Sequence, residues 1–70
     1  MTHQFHLDGS PFIPLNNLLK VLQLVETGGE ANLCITDGEV ILNGAVETQK
    51  RKKIRAGDVV KFRDEVVKVL

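Results

Sequence analysis

Between Lys50 and Arg55 the chain reads Lys-Arg-Lys-Lys-Ile-Arg, five of its nine Lys and Arg residues within six positions. Side chains of this type at this density attract anions. Lys50, Lys52 and Lys53 offer point charges, whereas Arg51 and Arg55 carry a flat fork of donors suited to two oxygens of one phosphate. On a polyanion, each neutralised phosphate releases condensed counterions and makes binding steeply salt-dependent. The competing reading is a solvated sheet edge whose lysines deter strand-to-strand aggregation. Four consecutive cations with no acid among them repel one another, so solubility alone explains them poorly.

The formal net charge is zero, but the charges are segregated. Residues 1–49 carry one basic residue, Lys20, against six acidic ones, a balance of −5; residues 50–70 carry eight basic against three acidic, +5. This asymmetry points to an anionic partner for the basic end.

Other chemistry is weakly supported. His3 and His6 lie three apart, on opposite faces of a strand, and read as surface histidines. Cys34 reads as a small buried hydrophobe rather than a nucleophile. Gly28-Gly29 at a helix start could lend amides to a phosphate, but chain reversal is the simpler reading. No nucleophilic triad, paired-carboxylate cleft, phosphate loop or metal-ligand spacing is visible, so the expectation is a non-enzyme with no cofactor and no metal. Phe5, Phe12 and Phe62 are expected in the core, which disfavours a single-strand binder that stacks bases on aromatic rings.

These residues must be positioned by very little protein. Seventy residues with 43% hydrophobic and 26% charged side chains describe one ordinary small domain, spanning 1–70. A lone cysteine permits no internal disulfide, which favours a reducing compartment. There is no signal-like N-terminus and no apolar run of membrane-spanning length, so a cytoplasmic monomer without membrane contact is expected.

Thr2 to Leu7 reads as a short strand, ended by Asp8-Gly9-Ser10-Pro11. Pro14 suits a first helical turn, and Leu15, Leu18, Leu19 and Leu22 form an apolar stripe at helical spacing. Thr27-Gly28-Gly29-Glu30 has capping-box spacing, predicting a second helix from Gly28 to about Thr36 with Ala31, Cys34 and Ile35 inward and Gly38 as its left-handed stop. Glu39 to Leu42 is a strand, Asn43-Gly44 a tight hairpin turn, and Ala45-Val46 the start of the return. The basic run then sits on a hairpin loop with Ile54 as its apolar anchor. Ala56-Gly57-Asp58 turns the chain into Val59 to Phe62; Asp64-Glu65 makes a second hairpin turn before Val66 to Leu70. Two helices followed by short antiparallel strands define an α+β domain, with the N-terminal strand joining the sheet.

This order of features resembles the RNA-binding domain named after small-subunit ribosomal protein S-four, whose core is the αL motif, and in style its small stand-alone bacterial members of the YbcJ type. The resemblance covers roughly Leu15 to Phe62; its most specific pieces are Gly38-x-Val40-x-Leu42-Asn43-Gly44 and Ala56-Gly57-Asp58. It implies a non-catalytic protein binding the phosphate backbone of structured RNA, ribosomal or transfer RNA, through Lys50, Arg51, Lys52, Lys53 and Arg55, joined by Asn43, Gly44 and Lys20. Glu30, Asn32 and Thr36 stand where the family often places cations on the second helix, leaving the loop to bind almost alone. The alternative is an adaptor whose basic loop docks an acidic surface, such as a ribosome-associated protein.

Overall fold

The computed structural model describes residues 1–70. In chain order the elements are β1 (Thr2–Phe5), β2 (Ile13–Pro14), α1 (Leu15–Val21), α2 (Gly28–Thr36), β3 (Val40–Leu42), β4 (Ala45–Val46), β5 (Lys53–Ile54), β6 (Val59–Phe62) and β7 (Glu65–Val69).

The leucine stripe forms α1, with Leu15, Leu18 and Leu19 fully buried. Pro14 does not enter the first helical turn. At φ −60° and ψ 141° it is the extended N-cap residue. The cause is a distant partner: β2 pairs antiparallel with β5, Ile13 opposite Ile54 and Pro14 opposite Lys53. Leu22, the last of the stripe, is the half-buried C-cap. At the far end Gln23 takes φ 60°, its N–H donating to Lys20 O while Leu24 N–H donates to Leu19 O. Paired bonds of this kind close a helix through a left-handed residue, a place usually given to glycine.

The second helix has the predicted limits. Thr27 Oγ1 accepts from Glu30 N at 3.1 Å. The reciprocal half of the cap differs from expectation: Glu30 Oε1 accepts from Glu26 N at 2.9 Å, not from the Thr27 amide. The chain enters α2 extended, with Thr27 at φ −135° and ψ 162°, and the carboxylate reaches one residue further back. Gly38, at φ 82°, ends the helix as its position implies, with Gly38 N–H on Ile35 O and Glu39 N–H on Cys34 O.

The main sheet runs β1-β7-β6-β3-β4, antiparallel except for the parallel β1–β7 pair. The N-terminal strand therefore joins it, though it ends at Phe5 and not at Leu7. Asn43 and Gly44 take φ 51° and 87°, as a two-residue β3–β4 turn of the I′ type needs. The second hairpin turn is Arg63-Asp64, one residue earlier than expected, so that Phe62 faces Glu65. A one-residue slip exchanges the faces of a strand, and it is Val67 and Val69 of β7 that are buried.

Thirteen residues are buried and all are apolar, so no polar or charged residue is spent inside the protein. Val40, Val60, Phe62, Val67 and Val69 from the sheet meet Leu15, Leu18, Leu19, Ala31, Cys34 and Ile35 from the helices, with Val25 and Ile54 completing the cluster. Two helices packed on a mostly antiparallel sheet are the expected α+β arrangement. No helix is long and apolar enough to cross a membrane.

Candidate nucleic-acid interface

The basic run is not carried on a hairpin loop. β4 ends at Val46, and the chain crosses from the main sheet to the start of α1 before entering β5. What draws it there is unpaired backbone. The first amides of a helix have no partner within it, and here Leu15 N–H donates to Lys52 O at 2.9 Å and Asn16 N–H to Lys50 O at 3.0 Å. The loop's carbonyls thus face α1. Lys50, Arg51, Lys53 and Arg55 are exposed, and Lys52 is half-buried.

Ile54 anchors the run, fully buried against the core. Side chains alternate along paired strands, so with Ile13 and Ile54 turned inward, Pro14, Lys53 and Arg55 take the outer side together with Phe12. Lys53 Nζ lies 5.0 Å from the Phe12 ring centroid and Arg55 Cζ 5.9 Å. The expectation that Phe12 belongs to the core is therefore corrected: it is half-buried, outside the core cluster, beneath two cations. Phe62 is in the core as expected, and Phe5 is half-buried against it.

The far end of the run is pinned by Asp58. Its Oδ2 accepts from Arg55 N at 2.8 Å and its Oδ1 from Asn43 Nδ2 at 3.0 Å. Asn43 Oδ1 accepts in turn from Val59 N at 2.8 Å. Both ends of the Asn43 amide are thus engaged within the protein, linking the β3–β4 turn to the end of the basic run.

The five cations make no ion pair; the carboxylate contacts of basic side chains in the molecule are Arg63–Glu39 and His3–Glu65, the latter an ion pair only when His3 is protonated. Arg51, Lys52, Lys53 and Arg55, with Gln49, line an open cleft of about 310 Å³. Arg51 also lines a second cleft of about 300 Å³ with Pro14, Asn16 and Asn17. Lys20 stands apart, in the last turn of α1, beside Gln23, Val25 and Glu26. Asn43 and Gly44 line neither cationic cleft. Asn16, Asn17, Phe12 and Asp58 enter the site unforeseen.

Elsewhere, Cys34, Arg63 and Glu65 have structural partners. Burial, and then the nearby Glu39 carboxylate, push the Cys34 thiol up, which favours its protonated form. Arg63 holds Glu39 by its Nε at 3.3 Å, lies 4.6 Å from the Phe62 ring and reaches Cys34 Sγ with Nη2 at 3.5 Å. It lays a positive charge beside the end of α2, which has no basic residue in its last turn. The hydrogen bond from His3 holds the Glu65 carboxyl below its usual range.

Two helices cap a small sheet, and the cation-rich loop between β4 and β5 lies against the start of the first helix. The S4 domain model matches residues 5–70, and the chain belongs to that family. It is 42% identical over 66 residues to YbcJ of Escherichia coli (strain K12), with 94% of each chain covered. The same identity and coverage relate it to YbcJ of Shigella flexneri. The solution structure of E. coli YbcJ, described as revealing an αL motif involved in RNA binding, superposes with a TM-score of 0.75 over 96% of this chain and 85% of that one.

Proposed function

We propose that this chain is a non-catalytic, cytoplasmic RNA-binding protein that grips the phosphate backbone of a folded RNA, ribosomal or transfer RNA, through Lys50, Arg51, Lys52, Lys53 and Arg55. The observation that carries the reading is the cleft lined by four of these cations, none of them neutralised by an acid of the protein. Their backbone is fixed by Asn16, Leu15 and Asp58, so few loop residues must be ordered on binding. Membership of the S4 domain family and the similarity to YbcJ, whose αL motif is described as involved in RNA binding, support the same reading. Asn43 contributes by holding the loop; Gly44 and Lys20 are peripheral.

Fluorescence anisotropy with a labelled stem-loop RNA across a salt series tests it. Five phosphate contacts give a slope of log affinity on log salt of about −3.5 to −4.5. Replacing Lys50, Arg51, Lys52 and Lys53 by Ala should flatten that slope to about −1 and abolish measurable binding at physiological salt. An unchanged slope would sink the proposal. In the adaptor alternative, partners captured from lysate survive ribonuclease treatment; RNA binding predicts that they are lost.

A further inference from the structure

A phosphate clamp by itself does not tell RNA from DNA, since both backbones carry the same charged group. The second cleft, which also takes in Arg51, differs in chemistry from the first. Its lining residues are Pro14, Asn16, Asn17 and Arg51, with no acid and one cation. Apart from Arg51 it offers neutral amide groups, beside the cleft proposed to grip phosphate, and the two share Arg51.

The backbone amides here are already engaged. Leu15 N–H and Asn16 N–H donate to the loop carbonyls, and Asn17 N–H donates to Asn16 Oδ1 at 2.9 Å. Asn16 is engaged at both ends of its amide, its Nδ2 donating to Asn32 Oδ1 at 3.1 Å. What remains for a ligand is the side chain of Asn17, which is exposed and has no hydrogen-bond partner in the protein. Its amide offers a donor and an acceptor. The group beside a phosphate that matches both is the ribose 2′-hydroxyl, itself donor and acceptor, which lines the wide, shallow groove of A-form RNA and is missing from DNA.

We propose that Asn17 is a ribose contact: its side-chain amide hydrogen-bonds a 2′-hydroxyl next to the phosphate held by Arg51, and gives the site its preference for RNA over DNA. This rests on the phosphate-binding reading above. Asn16 and Asn32 act as positioning residues that hold the floor of the cleft.

The test compares a stem-loop RNA, a DNA stem-loop of the same sequence, and the RNA carrying 2′-O-methyl groups. The wild-type protein should favour the unmodified RNA over both by about 3- to 10-fold, the effect of one net hydrogen bond. Asn17→Ala should bring all three affinities together without changing the salt slope. Arg51→Ala should weaken all three and flatten the slope. If Asn17→Ala keeps the wild-type ratios, or the wild-type protein shows no preference, the ribose contact is overturned while phosphate binding stands. If the wild-type protein binds neither nucleic acid, the underlying reading fails and the ribose contact with it. Asn17 is exposed, and a matching thermal melt confirms that the variant folds.

Discussion

Phe12 shows how an aromatic side chain can support a cationic surface from beneath. Its ring lies under Lys53 and Arg55, and such contacts at exposed sites contribute about 0.5–1 kcal/mol each. Phe12→Ala removes no charge, so the salt slope should be unchanged while RNA affinity falls about 2- to 5-fold, measured by anisotropy. A drop in slope instead would mean that the substitution displaces the cations altogether. Asn43 makes the complementary case. It holds a left-handed φ of 51° and bonds both Asp58 and Val59 N, so Asn43→Ala should cost about 1–2 kcal/mol of stability in urea unfolding. Asn43→Gly, which accepts the same φ without strain, should cost less. If Asn43 touched RNA directly, either change would weaken binding beyond its effect on folding.

Among the elements, β1 depends most visibly on charge. It lies parallel to β7 at the edge of the sheet, the Met1 ammonium donates to Asp64 O at 2.7 Å, and His3 Nε2 meets Glu65 Oε1 at 2.8 Å. The Glu65 carboxyl is held below its usual range chiefly by that hydrogen bond. A carboxyl whose folded value is lowered stabilises the fold above its unfolded value, and that contribution is lost as pH falls through the lowered one. Urea midpoints measured against pH should therefore separate wild type from Glu65→Gln near neutrality and bring them together in acid. Parallel curves would show that Glu65 contributes nothing through its charge. β2 and β5 are a different kind of element: two residues each, present only because each finds the other. They carry Lys53 and the buried Ile54, so the cationic loop rests on the smallest sheet in the molecule.

Over the whole molecule, this distribution of pairing sets where the protein opens first. β6 is bonded on both sides, by β3 and β7, and places Val60 and Phe62 in the core. β4 is an exposed edge and β5 has only one partner. Hydrogen exchange followed by NMR should find the amides of β6 among the slowest, exchanging through global unfolding. The β4 and β5 amides should exchange earlier through local opening. Equal protection throughout would mean that the cationic loop and the main sheet open as one unit. A core of 13 residues supports only modest stability, and neither a disulfide nor a buried polar network adds to it.

The sequence by itself determined what depends on neighbouring residues. The leucine spacing of α1, the Thr27 cap and Gly38 stop of α2, the Asn43-Gly44 turn and the density of cations from Lys50 to Arg55 all act within a few positions, through backbone dihedrals, short-range hydrogen bonds or simple charge. Tertiary structure decided whatever needed a distant partner. The meeting of Ile13 with Ile54 drew Pro14 out of the helix and Phe12 out of the core, and Phe62 opposite Glu65 fixed the second turn at Arg63-Asp64. The unpaired amides at the start of α1 took the loop carbonyls and brought Asn16 and Asn17 beside Arg51. Short strands carry too little local signal to specify their partners, because register is set by packing against the rest of the sheet and core. The cationic loop was legible as composition; the surface it forms became legible only when the two ends of its chain were joined to α1 and Asp58.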